Sequence, residues 1–216
     1  LGVAVLLVAA AAAPADVITL GPTQSIASIT GSGILAGDKL FSNFSVSSVG
    51  TNCPGAGDIY ITPAQINGDY GVIFQSAWQA DVGEYIDTLL TFKVTVLEGH
   101  AIDKIDMKLT GLSASNGGTI SITENIWPDD PSIATDTIGD ISVFFNSGAT
   151  GTKRLFQETT LTAPDMELWV VKDIALAGRT GDAAMSQFYQ SFHQVPEPAT
   201  LGILCLGGLL MARRRQ

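Results

Sequence analysis

The sequence predicts an all-β fold, an antiparallel two-sheet β-sandwich flanked by an N-terminal signal helix and a short C-terminal transmembrane helix. Three observations point there. Apolar residues alternate with polar ones in "LLTFKVTV" and "IDMKLTG". Glycine- and asparagine-rich turns recur between short segments. No long helical pattern separates those segments, and short strands at such spacing characterise sandwiches.

The chain opens with "LGVAVLLVAAAAAPADVITL". An apolar region over Leu1 to Ala13 followed by small residues is the pattern of a signal peptide. Cleavage after Ala13 would place Pro14 first in the mature chain, so Ala13 and Ala15 are the expected small-residue pair and Asp16 the expected mature start. Neither a Met nor a basic segment precedes Leu1, so residues ahead of it are expected.

Residues 16–185 form the expected sandwich domain. In Leu89–Val96, residues Leu90, Phe92, Val94 and Val96 face one way and Thr91, Lys93 and Thr95 the other. After a turn over Leu97 to His100, Ile105, Met107 and Leu109 face inward while Asp106, Lys108 and Thr110 face outward, which predicts a hairpin between the two segments. Further strands are predicted at Val17–Leu20, Leu40–Val46, Asp58–Thr62, Gly71–Gln75, Thr119–Thr123, Ile141–Phe145, Arg154–Leu161 and Met166–Ala175. The turns "GSG", "AGD", "NCPGAGD", "NGD", "SNGG" and "NSGATG" separate them. Residues 186–195 are a final strand or a linker. Met185, Phe188, Tyr189 and Phe192 suit a helical face, but Phe188 and Phe192 also share a strand face, and the strand is the preferred reading.

Between Asp16 and Val195, eight basic residues face twenty acidic ones, a net charge of −12. Such a surface repels nucleic acid and anionic lipid. Of the two cysteines, Cys205 lies in the C-terminal apolar run, so Cys53 alone remains in the domain and no internal disulfide forms there. No base adjoins Cys53 in "TNCPGAG", and it is read as an inert loop residue.

The chain closes with "VPEPATLGILCLGGLLMARRRQ". Pro196 and Pro198 hold Glu197 extended, as a peptide substrate is held. Ala199 to Ala212 carries no charge and would make a helix of about 14 residues and about 21 Å. That is short against the roughly 20 residues of a typical span. Arg213, Arg214 and Arg215 end the run as a cytoplasmic-side marker, which favours a membrane segment over a buried terminal helix.

In this order, Pro-Glu-Pro, a short apolar helix containing Gly207 and Gly208, and a terminal arginine cluster resemble the PEP-CTERM sorting signal of Gram-negative bacteria, over residues 196–216. The stretches "GDKLFSNFSVSS", "LWVVKDIAL" and "SQFYQSFHQ" also resemble exported members of that group. The resemblance implies processing by signal peptidase and by exosortase, a membrane enzyme cutting near Pro-Glu-Pro. It implies a precursor anchored in the inner membrane and a mature form at the cell surface or outside the cell. Close approach of the helix to the enzyme would use Gly207 and Gly208.

Catalytic signatures are lacking: there is no G-x-S-x-G, P-loop, HExxH or CxxC, and no cofactor is expected. His100 in a turn and His193 in the linker are read as solvated. Asp129, Asp130, Asp136 and Asp140 make "WPDDPSIATDTIGD" the most acidic loop. They are weak calcium candidates against a solvated loop, because the spacing is not that of an EF-hand. Among the tryptophans, Trp169 is assigned to the core and Trp127 is the better candidate for an exposed sugar platform, with Trp78 also considered. Three functions follow: a non-enzymatic surface or matrix protein associated with extracellular polysaccharide in a biofilm, which is preferred; a carbohydrate-binding module; and a secreted hydrolase with two converging carboxylates.

Overall fold

The computed structural model describes residues 17–148 and 151–194. The expected signal helix, the sorting segment and every candidate residue within them (Ala13, Ala15, Pro196, Glu197, Pro198, Gly207, Gly208, Arg213, Arg214, Arg215) lie outside the described residues. Among the described residues, fourteen strands and one short helix follow in order. They are β1 (Val17–Thr19), β2 (Gln24–Ser25), α1 (Ile26–Ile29), β3 (Ile34–Ala36), β4 (Lys39–Val49), β5 (Tyr60–Ile66), β6 (Asp69–Ala80) and β7 (Tyr85–Val96). Then come β8 (Ile102–Ala114), β9 (Thr119–Trp127), β10 (Gly139–Asn146), β11 (Lys153–Arg154), β12 (Phe156–Asp165), β13 (Glu167–Ala177) and β14 (Ala183–Gln194).

The strands make two seven-stranded antiparallel sheets. The first has the order β1-β5-β6-β14-β8-β12, with β2 also on β5, and the second β11-β10-β9-β13-β7-β4-β3. The all-β two-sheet sandwich expected from the alternation is therefore the architecture. Asn67 and Gly68 close the β5–β6 hairpin with φ of 53° and 99°, the two left-handed residues that a tight two-residue hairpin requires.

The predicted β7–β8 hairpin is corrected. Strand β7 pairs with β13 and β4, whereas β8 pairs with β14 and β12 in the other sheet. Both strands bury the face their alternation specified, with Phe92, Val94, Ile105 and Met107 fully enclosed. They bury it face to face across the core rather than side by side. Period two states which side of a strand is apolar and is silent about its lateral neighbour.

Aromatic rings run through the centre of the sandwich. Phe41 meets Phe192 at 5.5 Å and Phe92 at 6.2 Å, Phe74 meets Phe188 at 4.8 Å, and Phe188 meets Trp78 at 5.8 Å between centroids. Contacts of this kind add about 0.5–1.5 kcal/mol each beyond burial. A bulge in β4 supports the arrangement. Asn43 takes a φ of 54°, and the register with β7 shifts between Ser42 and Ser45. Phe41 and Phe44 thereby both turn inward although they are three positions apart.

Strand β14 is more than a linker. It lies between β6 and β8 in the interior of the first sheet, so the last described residues are structural.

Candidate functional site

The C-terminal end of β14 carries a cluster of polar and charged side chains on the first sheet. Phe188, Gln190 and Phe192 are inward and fully buried, which leaves Tyr189, Ser191 and His193 on the outer face. On neighbouring β8, Asp106 stands opposite Ser191, and on β12 Glu158 stands opposite Asp106. Ser191 Oγ donates to Asp106 Oδ1 at 2.7 Å. His193 Nε2 lies 3.1 Å from Asp106 Oδ2, and its Nδ1 lies 2.8 Å from Asp69 Oδ2 at the start of β6. Lys104 Nζ pairs with Glu158 at 2.9 Å.

With a carboxylate at each ring nitrogen, the imidazolium form satisfies both contacts at once. The Asp106 hydrogen bond, aided by the charges of Asp69 and Asp106, holds the His193 pKa above its usual value against the opposing effects of burial and Lys104. The expectation that His193 is solvated is corrected: it ties three strands, β6, β14 and β8, where the last one ends. His100 is exposed, as its turn implied.

Gln194, the next residue, is gripped separately. Lys39, 1% exposed, donates to Gln194 Oε1 at 2.8 Å and to Asp38 Oδ1 at 3.0 Å, with its ammonium 5.3 Å from the Tyr70 ring centre. Burial pushes the Lys39 pKa down, and Asp38 opposes that shift. Gln194 Nε2 donates to the carbonyl of His100 at 3.0 Å. A crevice of about 220 Å³ lies among Lys39, Asp69, Tyr70, His100 and Gln194.

Among the described residues, Asp106, Glu158 and His193 are the acidic and histidine side chains whose ligand atoms converge within 4.8 Å of one another. Asp106 already faces the imidazolium, Glu158 faces Lys104, and His193 faces Asp69 and Asp106, so the group works as an ion-pair clamp. The four aspartates of the acidic loop are not in that group. Asp129, Asp136 and Asp140 are exposed, and Asp130 accepts from both the backbone N–H and the hydroxyl of Ser132, at 2.9 and 2.7 Å. Those two bonds hold the Asp130 carboxyl below its ordinary range. The Cys53 thiol donates to the carbonyl of Val49 at 2.8 Å.

The tryptophans regroup. Trp78 is a core residue, 1% exposed, which removes it as a sugar platform. Trp169 is corrected in the other direction: Leu168 and Val170 are buried, so Trp169 between them points to the outer face of the second sheet and is only half-buried. It stands directly opposite half-buried Trp127, with Lys93 on its other side. Lys93 pairs in turn with Glu167 at 2.5 Å. The result is a row of two indoles and a charged pair across β9, β13 and β7.

Residues 194–216 match the PEP-CTERM protein-sorting motif. The chain carries a PEP-CTERM sorting motif. It is accordingly an exported protein directed to the cell envelope, and the motif implies processing by exosortase. No curated protein matches the chain. Similar solved structures include TmCBM61 in complex with beta-1,4-galactotriose, at 12% identity over 78% of this chain and 94% of that one, TM-score 0.33. The enzymatically active domain of bacteriophage CBA120 tailspike protein 4 is similar at 11% identity over 70% of this chain and 19% of that one, TM-score 0.31. Carbohydrate-binding modules from the β-sandwich superfamily are similar at 13% identity over 76% of this chain and 59% of that one, TM-score 0.27.

The PEP-CTERM motif begins at Gln194, the last residue of β14 and the residue that Lys39 holds. Two peptide steps separate Gln194 from Pro196, a reach of at most about 7 Å. The clamp of Asp69, His193 and Asp106 therefore fixes the origin of the PEP-CTERM segment on the folded domain. Sequence alone pointed to the segment but missed the clamp, because Asp106 lies 87 residues from His193 along the chain.

Proposed function

We propose that this protein is a non-enzymatic surface or extracellular-matrix protein, delivered as a finished β-sandwich by exosortase processing at its C-terminal signal and associated with extracellular polysaccharide. One observation carries this reading: β14, the last described strand, lies in the interior of the first sheet, and its final residue, Gln194, is held by Lys39 where the sorting motif starts. The strongly acidic domain suits a hydrated polysaccharide matrix rather than nucleic acid. A second reading, a carbohydrate-binding module, is favoured by the opposed Trp127 and Trp169 on an outer sheet face.

The test of delivery is processing in a host that carries exosortase. Glu197 is the one charge beside the apolar run on the outer side, and Glu197→Ala should leave a larger precursor in the membrane fraction. Ala199→Ser changes neither charge nor backbone preference and should process normally. Wild-type processing and release of Glu197→Ala would overturn the reading of this tail as a sorting address.

A further inference from the structure

Between the two sheets, away from both outer faces, three polar side chains meet in the core. Lys172 on β13 stands directly opposite Glu124 on β9, and Gln190 reaches the same Glu124 carboxyl from β14 of the other sheet. Lys172 and Gln190 are 0% exposed and Glu124 is 1% exposed. Lys172 Nζ contacts Glu124 Oε2, while Gln190 Nε2 donates to Glu124 Oε1 at 2.6 Å. Gln190 Oε1 is buried with no hydrogen-bond partner among the described residues. The surroundings are apolar: Met107 Sδ lies 3.6 Å from Nζ, and the rings of Phe188 and Phe92 are centred 5.4 and 5.9 Å from it.

A lysine and a glutamate enclosed this way are poorly solvated as ions. Burial pushes the Lys172 pKa down and the Glu124 pKa up, both toward the neutral form. A neutral amine is a nucleophile. A carboxyl group that touches an amine with one oxygen and a carboxamide nitrogen with the other is placed to take a proton from the first and give one to the second.

We propose that Lys172 and Gln190 form an intramolecular isopeptide bond, with Glu124 as the catalytic proton relay. The Lys172 amine attacks Cδ of Gln190 and a new C–N bond forms. Glu124 Oε2 accepts the proton shed by the attacking nitrogen, and Oε1 delivers a proton to Nε2. The original C–N bond of the carboxamide breaks and ammonia leaves, so Glu124 ends in its starting protonation state. No oxidant or second substrate is needed. The transient negative charge falls on Gln190 Oε1, which has no donor to stabilise it, so the reaction is a slow, single maturation event rather than turnover. The bond joins β13 of one sheet to β14 of the other, and so ties the strand that precedes the sorting motif covalently across the core.

The experiment is peptide mapping by mass spectrometry of the purified, folded full chain after denaturation and proteolysis. The expected result is a branched peptide linking Lys172 to Gln190, about 17 Da lighter than its two parts because one ammonia is lost. Lys172→Arg should abolish it, and so should Glu124→Gln when circular dichroism shows that variant folded. Unlinked Lys172 and Gln190 peptides from folded wild-type protein would overturn the proposal, whether or not the variants fold. So would a link between Lys172 and Glu124, recognisable by loss of about 18 Da as water, or an undiminished link in folded Glu124→Gln.

Discussion

Trp169 on β13 stands directly opposite Trp127 on β9, both half-buried on the outer face of the second sheet, with Lys93 next along the row. If this row binds polysaccharide, Trp127→Ala and Trp169→Ala should each weaken binding about tenfold, ~1.4 kcal/mol, while the protein stays folded. Indole fluorescence titrated with purified extracellular polysaccharide measures it. Undiminished binding in both variants would remove the carbohydrate-module reading. Trp78→Ala is the contrasting control: it opens the core and should cost about 3–5 kcal/mol of stability.

The clamp on β14 makes stability depend on pH. Asp69 from β6, Asp106 and Lys104 from β8, and Glu158 from β12 are the charged groups around His193. Its folded pKa is raised above an unfolded value of about 6.5. The contribution is therefore complete below about pH 6.5 and is lost as pH rises through the folded value. Thermal melts of the wild type should fall from pH 6 to pH 9 more steeply than those of His193→Gln, by on the order of 1 kcal/mol. Equal slopes in the two proteins would remove the imidazolium from the clamp.

A third expectation concerns the turn beneath the crevice. Gly37 has φ of 60°, and a Cβ built there would lie 2.4 Å from the Tyr70 ring, the ring beside which the Lys39 ammonium sits. Gly37→Ala must displace Tyr70 as well as accept a left-handed backbone, so a loss of about 1–3 kcal/mol is expected in denaturant melts. Gly31→Ala, with open space and no positive φ, should be tolerated. Comparable losses in the two variants would show that Tyr70 is not the cause.

Much of the fold was legible because each long strand encloses one apolar face, as in Leu90, Phe92, Val94 and Val96. The β-bulge at Asn43 was not, since it sets two phenylalanines inward at a spacing that strict alternation forbids. The same alternation, applied strictly to "LWVVKDIAL", puts Trp169 outside and Lys172 inside with Val170 and Ile174. Bulk argued for the opposite at Trp169, and charge does so at Lys172; in both cases register wins. The partners of His193 could not be read at all, because they come from strands distant in sequence that only sheet order makes adjacent.

The central place of β14 in the first sheet also has a consequence for timing. An exported chain emerges from its N-terminal end, and β14 is the last of the described strands to emerge. Until it arrives, β6 and β8 lack their shared neighbour, and the first sheet stays split into two unfinished halves. Completion of the first sheet therefore waits, by topology, on the very residues that run into the sorting motif.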